Sequence, residues 1–217
     1  MELLPALEHP VTQSQALFRA LLKSMSEPGE MGHISAVLKN TEASDSALFS
    51  TSWTIAQSLF DHDTTVFLSA SLNTKTIKAS VQFQTDAKVT ADPSLAAFAI
   101  LTSEEITHDS EFNLGTLEAP HDSCTLIIQV PAIYQASELK AELPSLVLSG
   151  PGIETQRTLQ IAGMTPYLLN LLQRNQALYP CGIDFIFCTP DEFLAIPRST
   201  RVQSVTPSKE NDHVRGR

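Results

Sequence analysis

The residues most able to do chemistry in this chain are a carboxylate within an apolar segment and two arginines that follow it. Asp184 stands in "GIDFIF", where a buried charge is costly unless it is paired. Its partner could be an arginine, a backbone N–H group or a ligand. The segment "IPRSTR" places Arg198 and Arg201 on either side of the Thr200 hydroxyl. These groups predict either a small anion clamp or a pairing of one arginine with Asp184 that holds the C-terminal segment against a sheet.

A second candidate is "SLVLSGPGI", an apolar run that ends in Gly150, Pro151 and Gly152. A phosphate cradle needs several converging backbone N–H groups and usually a lysine. Pro151 has no N–H, and the next charged residue is Glu154. A type II turn between two strands accounts for the pattern, because Gly152 supplies the positive φ that a Pro-Gly turn requires. The turn could also line a ligand site, as loops at strand ends of α/β sheets do.

Other reactive groups lack the neighbours that catalysis needs. The chain has no Walker, G-x-G-x-x-G, G-x-S-x-G or H-E-x-x-H pattern. The sequence "DHD" at residues 61–63 is typical of acids in a loop at a helix end, so we expect no metal site. Cys124 and Cys188 belong to apolar strands, where a thiol is usually inert, and nothing near Cys181 would activate it. No catalytic residue is therefore assigned.

Composition limits the class of protein. The 217 residues are 42% hydrophobic and 18% charged, which indicates a globular domain with a substantial core. The net charge of −10 disfavours nucleic-acid binding and requires a local basic cluster for any anionic ligand. The start lacks the basic flank and apolar core of a secretory signal, and no apolar run reaches the roughly 20 residues of a membrane span. With three separate cysteines, this predicts a soluble cytoplasmic protein without membrane contact.

Helical and strand patterns alternate along the chain. Helices are predicted at residues 12–25, 46–60, 75–83, 165–179 and 191–195. Strands are predicted at residues 32–38, 64–70, 97–101, 124–130, 145–150, 157–164 and 182–187. The alternation predicts a single α/β domain over residues 1–201, in which helices flank a mixed β-sheet. Residues 202–217 are polar and aperiodic and are predicted to be a disordered tail.

Six segments, in order, resemble one bacterial family. They are "FRALLKSMSEPGE", "SLFDHDTTVFL", "DSCTLIIQV", "SLVLSGPGI", "NQALYPCGIDFIF" and "IPRSTRV". Together they are similar to the PhnH family, a subunit of the carbon–phosphorus (C–P) lyase system for phosphonate use. Each segment is a weak signal by itself, but the ordered set runs from about residue 13 to residue 202 and covers nearly the whole chain except its tail.

This resemblance implies a fold like the large domain of pyridoxal-phosphate (PLP)-dependent transferases, without the cofactor. It implies a homodimer that joins a core complex with the G, I and J subunits. With these partners it would support transfer of methylphosphonate onto the ribose of ATP with loss of adenine, which makes α-D-ribose 1-methylphosphonate 5-triphosphate. The subunit itself would not carry the catalytic group.

Three functions remain open at this point. The first is a non-catalytic or co-catalytic subunit of that transferase. The second is a self-sufficient small-molecule transferase or hydrolase with its site near residues 150–152, Asp184 and Arg198, and the third is a scaffold without a ligand. No lysine has the strand-end setting that a Schiff base requires, so we expect no PLP. For a nucleotide or phosphonate ligand, the candidate binding residues are Gly150, Gly152, Asp184, Arg198, Thr200 and Arg201.

Overall fold

The chain alternates between helices and strands, and its computed structural model describes residues 3–34, 47–108 and 111–205. The α-helices are α1 (Pro10–Ser26), α2 (Ser50–Leu59), α3 (Lys75–Thr85) and α4 (Pro166–Asn175). The first strands are β1 (Met31–His33), β2 (Thr65–Leu68), β3 (Lys88–Thr90), β4 (Phe98–Thr102), β5 (Thr125–Gln129) and β6 (Ile133–Gln135). They are followed by β7 (Ser145–Ser149), β8 (Arg157–Ile161), β9 (Asp184–Cys188), β10 (Glu192–Ile196) and β11 (Arg201–Val205).

Seven strands form a mixed sheet in the order β1-β10-β9-β5-β4-β2-β3. The five strands from β9 to β3 run parallel, and β10 and β1 add antiparallel at one edge. Strand β5 lies in the middle, and Leu126, Ile127 and Ile128 are fully buried. A continuous apolar run is what a strand covered on both faces requires, as the sequence of β5 predicts.

Different layers cover the two faces of this sheet. Helices α1, α2 and α3 pack on one face, where the buried residues include Leu17, Ile55, Ile77, Ile100, Ile127 and Ile186. Helix α4 and a second, antiparallel sheet of order β11-β7-β8-β6 cover the other face. Buried residues there include Leu148, Leu159, Leu168, Leu126 and Phe185. The predicted single α/β domain with a mixed sheet flanked by helices is confirmed. The separate second sheet was not predicted.

One arginine connects the second sheet to the N-terminal region. Arg157, at the start of β8, donates from Nη1 to the carbonyl oxygens of Glu27 (3.1 Å) and Pro28 (2.8 Å). Its Nη2 lies 3.1 Å from Oε2 of Glu30. Since β1 also pairs with β10, the end of α1 and the β1 strand are held by residues more than a hundred positions away.

Local signals set the helix starts. Thr165, the predicted start of the helix, caps α4 by accepting a hydrogen bond from the Leu168 N–H (3.1 Å), and Pro166 follows at the first helical position. Helix α1 begins at Pro10, two residues before the predicted start at Thr12. The predicted start was late because Pro10 favours the first helical position, where its missing N–H costs nothing.

The helix predicted at residues 191–195 is wrong, because this segment is strand β10. Thr189 and Glu192 form a tight turn in which the Glu192 N–H donates to Oγ1 of Thr189 (3.1 Å) and the Thr189 N–H donates to the Glu192 carbonyl (2.9 Å). The same residue pattern that caps a helix therefore closes a hairpin. The next four residues are all buried, which fits a strand covered on both faces and not a one-sided helix.

Two further expectations require correction. The domain does not end at residue 201, because β11 extends to Val205 and pairs with β7, with Val202 only 4% exposed. Residues 206–217 of the predicted tail lie outside the described residues, as do residues 35–38 of the first predicted strand. The alternation of Leu159 and Ile161 with Thr158 and Gln160 predicts that β8 is half-exposed. Gln160 is nevertheless buried, because its amide group hydrogen-bonds the main chain of Lys140 and Leu143.

Candidate functional site

Asp184 and Arg198 form a closed ion pair. Oδ1 of Asp184 accepts from the Arg198 backbone N–H (2.8 Å), and both carboxylate oxygens lie 3.2 Å from Nε. Nη2 of Arg198 donates to Oδ2 of Asp184, and Nη1 donates to the Pro120 carbonyl (2.7 Å). Each side chain is 15% exposed. Of the partners that the sequence leaves open for Asp184, the structure shows two, an arginine side chain and a backbone N–H group, and Arg198 supplies both. The pair joins β9, the β10–β11 turn and the loop before β5.

The Gly-Pro-Gly sequence forms the predicted turn between β7 and β8. The Ile153 N–H donates to the Gly150 carbonyl (3.2 Å), and Gly152 has φ 79°, as the third position of a type II turn requires. A Cβ atom at Gly152 would lie 1.8 Å from the Ser26 carbonyl oxygen. The turn therefore packs against the C-terminal end of α1.

The structure brings most of the six candidate residues into one region. Gly150 lies against Ser199 and Thr200, since a Cβ atom there would be 3.2 Å from the Ser199 carbonyl oxygen. Thr200 is 1% exposed, and its Oγ1 has no hydrogen-bond partner among the described residues. Arg201 is exposed and begins β11, whereas Gly152 contacts α1.

This region lies at the amino end of the parallel strand β9, because Asp184 is its first residue. In open α/β sheets, ligands bind beyond the carboxyl ends of the parallel strands. The residues singled out in the sequence are thus on the opposite edge from the usual ligand position.

A cavity of about 480 Å³ opens at the carboxyl ends of β2 and β4, and we call it the β2–β4 crevice. It is lined by Phe67, Ser69, Ala70, Pro93, Leu101, Glu104, Glu105, Thr107 and Phe112. The connection after β2 contains α3, which packs on one face of the sheet, while Ile106 after β4 packs on the other face. The two connections diverge at this point, and such a divergence leaves a crevice in α/β folds.

Glu105 is the most constrained charged group of the crevice. Its Oε2 accepts from the hydroxyl groups of Ser69 (2.5 Å), Ser71 (2.8 Å) and Thr102 (2.9 Å), and its Oε1 accepts from the Ser71 N–H (2.8 Å). Partial burial raises the pKa of Glu105, but these hydrogen bonds outweigh it and lower the pKa from 4.5 to about 2. Glu105 is therefore a fixed anion that ties the ends of β2 and β4 together, and it is unsuited to proton transfer near neutral pH.

Sequence reasoning missed this site. The pattern T-x-x-E at Thr102 and Glu105, directly after a buried strand, was a readable signal for the hydroxyl–carboxylate contact. The aromatic wall had no such signal. The rings of Phe67 and Phe112 meet edge to face at 6.2 Å between centroids, although the two residues are far apart in the chain.

The thiols of Cys124 and Cys188 are not available as nucleophiles in this structure. Cys124 and Cys188 are fully buried, and burial raises the pKa of each thiol to about 12. Within residues 3–34, 47–108 and 111–205, no group of three or more His, Cys, Asp or Glu side chains converges as metal ligands would. None of the helices in the same ranges has the length and apolarity of a membrane span.

Comparison with known proteins gives a family. The model of the family described as "Bacterial phosphonate metabolism protein (PhnH)" matches residues 5–203. A protein of Rhizobium meliloti (strain 1021) named "Alpha-D-ribose 1-methylphosphonate 5-triphosphate synthase subunit PhnH" is 30% identical over 199 residues, which cover 91% of this chain and 94% of the relative. A "Putative C-P lyase subunit protein HtxG" of Stutzerimonas stutzeri is 32% identical over 89 residues, 41% of this chain and 42% of that protein. This chain belongs to the PhnH family of bacterial phosphonate metabolism proteins.

Proposed function

We propose that this chain is a subunit of a C–P lyase complex that makes α-D-ribose 1-methylphosphonate 5-triphosphate from ATP and methylphosphonate. The observation that carries the proposal is the nearly end-to-end match to a relative named as that synthase subunit. The second relative, named as a putative C–P lyase subunit, supports the same setting.

Within that complex, the chain contributes a surface and a binding site and does not supply the reactive group. The described residues support this role because the groups best able to react are occupied. Asp184 and Arg198 neutralise each other, Glu105 is held as an anion, and the thiols of Cys124 and Cys188 are buried. Each of these groups would need rearrangement before it could act on a substrate.

The finer features of the family are part of the same proposal. The chain forms a homodimer in the cytoplasm, associates with G-, I- and J-type subunits, and has a fold like the large domain of PLP-dependent transferases without binding PLP. A Schiff base needs a lysine beside the cofactor. The sequence supports this part of the proposal, because no lysine has the strand-end setting that a Schiff base requires.

Reconstitution tests the proposal. The affinity-tagged chain is co-expressed with G-, I- and J-type subunits, and the purified assembly is supplied with ATP and methylphosphonate. We expect a stoichiometric complex whose synthase activity is lost when this chain is omitted, and no turnover by the chain alone. Turnover by the pure chain at an ordinary enzymatic rate would instead favour a self-sufficient transferase or hydrolase, and Arg198→Ala would then abolish it without unfolding the protein.

A further inference from the structure

The β2–β4 crevice has the size and apolar walls of a small-molecule site. Its volume of about 480 Å³ lies within the range of about 300–1,000 Å³ that ligand pockets occupy. Phe67, Phe112 and Leu101 provide aromatic and aliphatic walls, and Pro93 adds a further apolar surface. Phe67 and Phe112 are only partly buried, so each ring leaves area that a ligand could cover. Such walls favour a flat ring over a flexible polar chain.

The polar groups of the crevice require a ligand that donates hydrogen bonds. Oε2 of Glu105 already receives three hydroxyl groups, whereas Oε1 accepts one backbone N–H among the described residues and keeps an open lone pair. The neighbouring Glu104 carboxylate is exposed at the same opening. Ionised carboxylates only accept hydrogen bonds, so the complementary ligand atoms are N–H or O–H donors.

The charge of the crevice selects against anions. Among the described residues, two carboxylates and no lysine, arginine or histidine line the crevice, in a protein whose formal net charge is −10. A phosphate or phosphonate placed there would meet like charge at short range without a compensating cation. The ligand is therefore uncharged or cationic.

We propose that the β2–β4 crevice binds a planar heteroaromatic base that carries amino N–H groups, of the aminopurine class. Its ring lies against Phe67 and Phe112, and its amino group donates to Glu104 or to the open oxygen of Glu105. The biological role rests on the proposed function. A ribose 5-triphosphate that gains a phosphonate at C1 must first carry a leaving group at C1, and a heterocyclic base is such a group. The crevice holds this base, and the triphosphate remains outside the acidic lining.

Binding is measured with adenine as the probe, by titration calorimetry on the isolated full-length chain at neutral pH and low salt. Adenosine monophosphate, inorganic phosphate and unsubstituted purine serve as comparison ligands. We expect saturable binding of adenine, weaker binding of purine because it lacks the amino donor, and no saturable binding of phosphate. Adenosine monophosphate is expected to bind more weakly than adenine, and the difference shrinks as salt screens the carboxylates.

Two variants and a matched control locate the site. Phe112→Ala removes one wall and is expected to weaken adenine binding at least about fivefold, because stacking on an aromatic side chain contributes strongly to base affinity. Phe83→Ala is the control, since Phe83 is 77% exposed on α3 and does not line the crevice. Glu104→Gln keeps the shape of an exposed side chain and removes its charge. It is expected to lower the affinity for adenine and to raise the affinity for adenosine monophosphate.

Three results would overturn the inference. They are no saturable adenine binding, monophosphate affinity equal to that of adenine, or equal effects of Phe112→Ala and Phe83→Ala in folded protein. These results are distinguishable from failure of the proposed function, which concerns assembly and synthase activity. A chain that joins the complex but does not bind adenine refutes the crevice site alone. A chain that binds adenine but never assembles refutes the proposed function and leaves the binding site in place.

Discussion

Asp184 and Arg198, which the sequence offers as ligand-binding residues, form an ion pair with each other in the folded protein. Removing either partner would leave the other charge almost buried and unpaired, which is far more costly than the pair is favourable. Arg201, which the sequence offers as an equivalent arginine, is exposed on β11. The two arginines are therefore not interchangeable in the folded protein.

Asp184→Ala and Arg198→Ala are each expected to lower the free energy of unfolding by about 3 kcal/mol, because each strands one buried charge. Arg201→Ala, the matched control, is expected to change it by less than about 0.5 kcal/mol. Urea unfolding measures all three. The double variant is expected to cost less than the sum of the single ones, since the second change removes the stranded charge. Additive losses, or equal losses for Arg198 and Arg201, would contradict the pairing.

Glu105 gives the protein an acid-dependent contribution to stability. Its folded pKa of about 2 lies below the ordinary 4.5, so the stabilisation is complete above about pH 4.5, declines as the pH falls from there, and is gone below about pH 2. Glu105→Gln is expected to lower the free energy of unfolding at pH 7 by about 1–2 kcal/mol. This loss is smaller than for a fully buried charged network, because Glu105 is partly exposed to solvent.

Denaturant unfolding at several pH values separates this effect from a general one. The difference between wild type and Glu105→Gln should shrink as the pH approaches 2, because wild-type Glu105 then becomes neutral as well. Glu104→Gln, one residue away and exposed, should show no such dependence. A constant difference across the pH range would show that Glu105 contributes by shape and not by charge.

At the scale of elements, the sequence predicts a helix or strand wherever local pattern and tertiary environment agree. Helix α4 has a capping threonine and a proline at its start, and β5 has an uninterrupted apolar run, so both were predictable. Strand β10 was not, because the Thr-Pro-Asp-Glu pattern that precedes it caps helices and hairpin turns alike. Only the pairing of β10 with β9 and β1 decides between them.

The Gly-Pro-Gly turn positions the β7–β8 hairpin on the end of α1. Gly152→Ala is expected to lower the free energy of unfolding by more than about 2 kcal/mol, because it combines a positive φ with a Cβ atom 1.8 Å from a backbone oxygen. Pro151→Ala, at the exposed neighbouring position, should cost less than about 1 kcal/mol. Thermal unfolding followed by circular dichroism compares the two. Equal effects would mean that the contact with Ser26 is not tight.

Strand β11 shows that the ordered domain extends past the predicted boundary. A chain that ends after Val205 keeps all five pairs of β11 with β7, whereas a chain that ends after Thr200 loses the strand and uncovers the β7 edge. We expect the shorter chain to melt at a lower temperature and to aggregate more readily than the longer one. Matching melting temperatures and solubility for the two chains would mean that β11 adds nothing to stability.

At the scale of the whole molecule, the central sheet makes one cooperative unit of two core clusters. Cys124 belongs to the cluster beside the second sheet, and Cys188 belongs to the cluster beneath α1, α2 and α3. Neither thiol is accessible in the folded state. Cys124 directly precedes β5 and Cys188 is the last residue of β9, and these two strands are neighbours in the central sheet. Opening one face should therefore disrupt the other.

Thiol labelling tests this cooperativity. In a Cys181→Ser background, Cys124 and Cys188 are expected to react with a thiol reagent at equal, slow rates that rise identically with urea, because both require global unfolding. Mass spectrometry of the labelled peptides reports each site separately. Faster labelling of one cysteine at low urea would reveal that one layer opens independently of the other.

The candidate site was only partly predictable, because its position depends on the arrangement of the whole sheet. Local sequence located the residues around Asp184 and the Gly-Pro-Gly turn, and the fold does bring five of the six candidates close together. It could not say which end of the parallel strands they occupy, because that depends on strand order and direction. The β2–β4 crevice exists only where β3 and β4 lie on opposite sides of β2, and no single segment encodes that order.

The contacts made by Arg157 and β1 have a consequence for synthesis on the ribosome. The carbonyl groups of Glu27 and Pro28 cannot bind Arg157 until about 130 further residues have been translated. Strand β1 cannot pair with β10 until a still longer segment has been made. During synthesis, α1 and β1 therefore lack some of the contacts that they make in the folded protein. Contacts between residues far apart in sequence slow folding and leave apolar surface exposed until they form. The yield of folded protein should therefore depend on chaperones that bind the nascent amino-terminal region.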